Sequence, residues 1–242
     1  MSNAIVFSLS TTILILSSLG NASPIRFQKQ CFLRDSACLR EQSRLILKSF
    51  VEGDAELGIE KLDKMSIGSV EINDNGLIFN ENNIVVEGTN SSINSVSVDL
   101  IYKALGISFN TSLIITGDYT SSGMLYGLPV SGNGRTIAKM NNVIIDLLCF
   151  YEIVKNKDGY DVMNLKHYDY DFNVIGGASY FFENAFNDDE EKSNQIHSII
   201  NSHWRIKIYK YGDHFISKIV AKIFTGIKNY LASQNLKNIA IY

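Results

Sequence analysis

The chain has 242 residues, 45% of them apolar, and a formal net charge of −3. One large domain with a sizeable core is therefore expected. No basic run occurs, which excludes nucleic acid as the expected partner.

Residues 1–22 carry no charged side chain, and Ile5 to Leu19 is apolar with Ser and Thr mixed in. That stretch is shorter than the roughly 20 residues of a membrane span. Gly20 and Ala22 place small residues at −3 and −1 of a cut after Ala22. Residues 1–22 thus read as a secretory signal, and residues 23–242 as one mature extracellular domain. No other segment approaches transmembrane length. Cys31 and Cys38 come next, and an oxidising compartment would join them. A loop this short contributes roughly 2–3 kcal/mol in the chain-entropy model.

A short helix follows, about Leu39 to Val51, with Leu39, Leu45, Ile46, Phe50 and Val51 as its inner face. Leu57 to Asp63 is a less regular connector. From Ile67 the apolar period changes to two, as in strands. Asp74-Asn75-Gly76 is a hairpin turn signal between Val70, Ile72 and Leu77, Phe79. Further alternation runs through Ile84 and Val86, through Val96 and Val98, and through Phe109, Leu113, Ile115 and Tyr119. Asn133-Gly134 and Lys157-Asp158-Gly159 read as turns. Between them Val143, Ile145, Leu147, Cys149 and Tyr151 alternate cleanly, and Tyr168, Tyr170, Phe172 and Val174 close the series. Cys149 reads as a small buried hydrophobe, with a reactive or intermolecular thiol as the alternative. Asn90-Ser91-Ser92 and Asn110-Thr111-Ser112 are glycosylation acceptors in turn-like stretches, on Asn90 and Asn110.

The last element is a proline-free run, Asp188 to Leu231, with an apolar residue every three or four positions. Asn187 is its expected N-cap, and Asp188 to Glu191 set negative charge in its first turn. A helix this long measures ~65 Å, against a diameter of ~45 Å for a compact globule of this size. Gly212 and Gly226 are candidate breaks; the reading taken is an elongated molecule with a bend at Gly212. Only the strands in the middle of the chain can cover so long an apolar stripe. The fold class is therefore α+β: a long C-terminal helix wrapped by a strongly curved antiparallel sheet, with a short N-terminal helix. A gap between sheet and helix would be an apolar tunnel suited to an extended lipid.

Catalytic signatures do not hold. Gly132-Asn133-Gly134-Arg135-Thr136-Ile137 imitates a dinucleotide fingerprint, but Ile137 takes the third glycine position and no helix follows. There is no Gly-x-Ser-x-Gly elbow. His197, His203 and His214 lack i, i+4 spacing, and Asp188 to Glu191 read as a solvated helix turn, not a metal cage. No enzyme activity, catalytic residue, cofactor or metal is expected.

Several stretches together resemble the insect takeout and haemolymph juvenile-hormone-binding family, within the wider group of tubular lipid-binding proteins. Cys31 and Cys38 correspond to that family's first disulfide. Glu56 to Met65 is similar to its Leu-Gly-Ile…Leu-Asp-Pro-Leu segment, with Lys64 in place of the proline. Gly117-Asp118-Tyr119, Gly123, Gly127-Leu128-Pro129-Val130, Gly132 and Gly134 follow its glycine-rich centre. Phe182 to Asp188 resembles its Phe-Asn-Leu-Phe-Asn-Gly-Asp motif, and Asn201-Ser202-His203-Trp204 its Asn-x-x-Trp. No cysteine follows Cys149, so the second disulfide of the haemolymph hormone carriers has no counterpart, which places the resemblance on the takeout side. The resemblance implies a helix wrapped by a curved sheet and a secreted, monomeric carrier of a terpenoid or fatty ligand. A recognition module for lipid surfaces or microbial lipids is the alternative. Burying ~15 ligand carbons at ~0.8 kcal/mol each, against association costs of at least ~4 kcal/mol, leaves about micromolar affinity.

The expected tunnel lining is Phe50 and Leu57 near the first helix and Phe79, Ile115, Tyr119 and Leu128 on strands. Phe181 and Phe186 precede the last helix, which adds Trp204, Ile208, Phe215 and Ile219. Trp204 reads as a core anchor ahead of a ligand contact, and Tyr119 equally as strand packing and as pocket wall. The strand choices depend on parity, which one misplaced residue reverses.

Overall fold

The computed structural model describes residues 25–125, 127–186 and 189–241, and the side chain of Leu128 is not among what it describes. The expected leader, Met1 to Ala22, lies outside the described residues, as do Asn187 and Asp188. The elements are β1 (Cys31–Phe32), α1 (Ser36–Glu52), β2 (Lys64–Asp74), β3 (Leu77–Asp99), β4 (Ala104–Leu125), β5 (Leu128–Lys155), β6 (Asp161–Val174) and β7 (Ala178–Phe182). They continue with α2 (Glu190–Ser202), α3 (Trp204–Tyr211), α4 (Asp213–Ser233), α5 (Leu236–Ile239) and β8 (Ala240–Ile241).

Antiparallel neighbours in the order β2-β3-β4-β5-β6 form one curved sheet. β7 continues the β6 edge along the earlier half of β5; its five residues alternate between half-buried and exposed, but Tyr180, Phe181 and Phe182 in a row hide that period, and the sequence reading has no strand there. Three of the strands have 22 to 28 residues, far beyond the usual 3–10, so they cannot stay straight. Bulges bend them. Asn83, Asn90 and Asn142 take left-handed conformations (φ 52, 55 and 49) where the register slips, and an extra residue in one strand increases its coil. Helix α4 touches β2 and β6, the two opposite borders of the sheet order. The sheet is therefore rolled around α4.

Asn75-Gly76 forms the expected hairpin turn, with φ 48 and 87. Asn133-Gly134 does not turn: both residues lie inside β5, and the reversal falls beside Gly127. Gly134 and its neighbour Gly132 serve close approach instead. A Cβ on Gly132 would stand 2.5 Å from the Asn184 carbonyl oxygen and 2.7 Å from that of Ala185.

The C-terminal helix is three helices in succession, where one long helix with a bend at Gly212 was expected. His203 leaves helical geometry (φ −110, ψ 30) between α2 and α3, while Gly212 divides α3 from α4 with helical dihedrals. Gly226 breaks nothing; it lies within α4, where a Cβ would meet Phe50 Cζ at 3.3 Å. The N-cap is Asp189, not Asn187: its side chain accepts from the Lys192 amide at 3.1 Å, and Glu190 and Glu191 occupy the first turn.

At the other end Asp35 caps α1 by accepting from the Cys38 amide, and the Cys31–Cys38 disulfide ties β1 to this first turn. β1 pairs in parallel with β8, so the two ends of the described chain meet. The inner face of α1 differs from expectation at one position. Leu45 is 50% exposed, whereas Gln42 is buried. Gln42 Oε1 accepts from the amides of Gln28 and Lys29, which satisfies a polar group that pattern alone would turn outward.

Candidate functional site

Among the described residues, two cavities between sheet and helices share no lining residue. The first encloses about 1010 Å³ of atom-free space, its mouth included, beneath β7 and α2 and beside α3. The second spans about 1330 Å³ of such space, its mouth likewise included, between α1, the later half of α4 and the ends of β3, β4 and β5. Phe215 faces the first, and Ile219, one helical turn further on, faces the second. Ile216, which lies between them along α4, borders neither chamber; it is fully buried in one core with Ile84, Val86 and Val143. The apolar space expected as a tunnel is thus lined as two chambers, with a waist of buried residues that border neither.

Most lining side chains are apolar. In the first chamber Phe79, Tyr119 and Phe182 pack with ring centroids 5.4–6.0 Å apart, offset or edge-on as aromatic quadrupoles favour. The Tyr119 hydroxyl donates to the Glu183 carbonyl at 2.7 Å. Burial pushes this phenol up to about 12, so it stays a donor. β7 is held from outside by α2: the Asn201 amide accepts from Tyr180 N at 2.7 Å and donates to Tyr180 O at 3.0 Å, and His197 Nε2 accepts from Phe182 N at 2.9 Å. The Asn-x-x-Trp sequence therefore has a mechanical role, with Asn201 as its clamp. Trp204 packs against the core, its ring covered by the Arg205 guanidinium.

Of the residues expected at the lining, Phe79, Ile115, Tyr119, Phe181, Phe186 and Phe215 border the first chamber, with Phe181, 52% exposed, at its mouth. Phe50 and Ile219 border the second. Leu57, Trp204 and Ile208 border neither, and the side chain of Leu128 is not described. Cys149 is buried and its thiol is pushed up to about 12 by burial. Asn90 is exposed at its bulge, whereas the half-buried Asn110 donates from Nδ2 to Asn142 Oδ1 at 3.3 Å. Among the described residues no cluster of three or more metal-ligating side chains occurs, and no helix is long and apolar enough to cross a membrane.

Three polar side chains in the first chamber escaped the sequence reading: Glu81, Thr136 and Lys207, all buried. Each sits on an inward period, Glu81 after Leu77 and Phe79, Lys207 between Ile200 and Tyr211, and position in the pattern was the available signal. Thr136 Oγ1 donates to Glu81 Oε1. Burial pushes the Glu81 carboxyl up, with the Thr136 hydrogen bond acting the other way. An acid that holds its proton more tightly when folded withdraws stability as pH rises above its unfolded value, here 4.5. Glu81→Gln is therefore expected to melt above the parent protein at neutral pH and close to it near about pH 4. Thermal melts at both values check this, and an equal offset at both would contradict it.

A family model described as haemolymph juvenile hormone binding protein matches residues 8–236. The chain is 24% identical to the circadian clock-controlled protein daywake of Drosophila melanogaster, over 78% of this chain and 76% of that one. It superposes on the crystal structure of Takeout 1 from Epiphyas postvittana with a TM-score of 0.83 and 29% identity, covering 88% of this chain and all of the other.

Proposed function

The chain belongs to the haemolymph juvenile hormone binding protein family, and from that premise we propose that it is a secreted carrier of a small hydrophobic ligand, juvenile hormone or another terpenoid or fatty lipid. The observation that carries this reading is the pair of apolar chambers inside the rolled sheet. Spaces of this order hold drug-sized or larger molecules, and hydrocarbon burial alone reaches useful affinity. The proposed contacts are Phe79, Ile115, Tyr119, Phe181, Phe186 and Phe215 in the first chamber and Phe50 and Ile219 in the second. No step of this function needs a catalytic group. On this reading Met1 to Ala22 is removed on export, residues 23–242 circulate as a monomer, and Asn90 presents the better glycan acceptor.

Solvent extraction of the purified protein followed by mass spectrometry is the direct test. One lipid per chain, also retained in native mass spectra, is the expected result. A chain that carries no lipid and takes up no fluorescent lipid would defeat the reading, and binding only to lipid surfaces would replace the carrier with a recognition module. Ile219→Trp places an indole in the second chamber. It is expected to weaken a fluorescent lipid there about tenfold, equivalent to ~1.4 kcal/mol, with an unchanged circular dichroism spectrum. Unaltered affinity would remove Ile219 from the contacts.

A further inference from the structure

We propose that Glu81 is the polar anchor of the first chamber, donating a hydrogen bond from its second carboxyl oxygen to an uncharged carbonyl oxygen, of an ester or a ketone, on an otherwise hydrocarbon ligand. This names the residue that recognises the ligand's polar end and rests on the carrier function above. Glu81 is 4% exposed and lines the chamber together with Thr136. The two stand on β3 and β5 with β4 between them, and Gly117 of β4 leaves the room in which the carboxyl lies across that strand. A Cβ there would stand 2.5 Å from Glu81 Oε1 and 2.8 Å from its Cγ. Tyr119 lies opposite Glu81 and Gly117 opposite Thr136, so all four residues share one face of the sheet.

The protein satisfies one half of this carboxyl. Thr136 Oγ1 donates to Oε1, and among the described residues Oε2 meets no second partner. Nor is Oε2 sealed in: among the described residues the enclosed side-chain oxygens that lack a partner are Asp63 Oδ1 and Tyr230 Oη. Oε2 therefore opens onto the chamber that Glu81 lines. The Tyr119 hydroxyl on the same face already donates to the Glu183 carbonyl. With Oε1 engaged as the acceptor, the acid proton falls to Oε2, which then donates into the chamber. Burial favours that neutral form; the Thr136 hydrogen bond acts against it, and the nearby Asp118 carboxylate adds to it. A buried donor without a partner is costly. A ligand carbonyl placed against it removes that cost, whereas a bare hydrocarbon leaves it standing.

The test is isotope-edited infrared spectroscopy of methyl laurate, labelled with carbon-13 at its carbonyl and bound to the mature protein at pH 7. Equilibrium dialysis supplies the affinities, with tridecane as the hydrocarbon control. Relative to the ester in hexane, a carbonyl band of the bound ester is expected at lower wavenumber, as hydrogen bonding requires. Glu81→Gln, whose amide keeps a donor at the same place, should keep the shifted band. Glu81→Leu should lose it and weaken the ester about tenfold, while holding tridecane at least as well. A bound ester with only an unshifted band in the parent protein overturns the proposal even if no variant folds, and so does a shifted band that survives in Glu81→Leu. Ester binding that tightens in Glu81→Gln also overturns it, since Glu81 would then be an anion that repels the carbonyl. If neither ester nor tridecane binds, the carrier reading falls and this proposal with it. Tridecane binding without the ester overturns the proposal alone.

Discussion

Ile216→Ala is expected to lower the unfolding midpoint on the order of 10 °C and to lengthen the chain of the lipid that the protein accepts. Ile216 is 0% exposed and lies on α4 between Phe215 of the first chamber and Ile219 of the second, in one core with Ile84, Val86 and Val143. Truncating a buried isoleucine to alanine removes transfer energy and leaves a void, together about 2–5 kcal/mol. For a chain of this size each kcal/mol shifts the midpoint by ~2–4 °C. The void would open where the waist now separates Phe215 from Ile219. A series of fatty acids of increasing length, ranked by competition against a fluorescent probe, should show its optimum displaced to longer chains. A lowered midpoint with an unmoved optimum would mean that the waist collapses around the alanine.

Gly132→Val is expected to be nearly as damaging for the opposite reason. The Asn184 and Ala185 carbonyl oxygens stand 2.5 and 2.7 Å from where a Cβ would be, and backbone gives less readily than a side-chain tip. Overpacking of this kind costs about 1–3 kcal/mol. The displaced segment carries Ala185 and Phe186, which line the first chamber. Lipid affinity at that chamber should therefore fall with the melting temperature, whereas Ile219→Trp lowers affinity without unfolding. Calorimetry and probe titration on both variants separate the two effects, and a Gly132→Val protein with parental melting would refute the close approach.

The fold class, the N-terminal disulfide and the clean alternation of β5 from Val143 to Tyr151 were legible in the sequence. The orientation of β3 was not. Leu77 and Glu81 point inward at odd positions, Ile84 and Val86 at even ones, Ile93 at an odd one and Val96 at an even one again. Each change of phase coincides with a register shift, the first two at Asn83 and Asn90. Asparagine tolerates the left-handed conformation that a bulge needs, so a polar doublet such as Asn82-Asn83 or Asn141-Asn142 inside an apolar alternation marks a phase switch, not a loop. Gly134 was misread because a glycine needed for close approach looks the same as one needed for a turn. The break at His203 had no local signal, since neither glycine nor proline stands there. Lys207 was passed over because a charged residue on a helix is normally solvated.

The clamp of α2 on β7 has a consequence for life at high concentration. A bare strand border presents amide and carbonyl groups that template pairing with another molecule. Here the N–H and C=O of Tyr180 are already engaged by Asn201, and the N–H of Phe182 by His197. Along this border the helix takes the place that an invading strand from a second molecule would need, and the sheet is closed to fibril-like growth there.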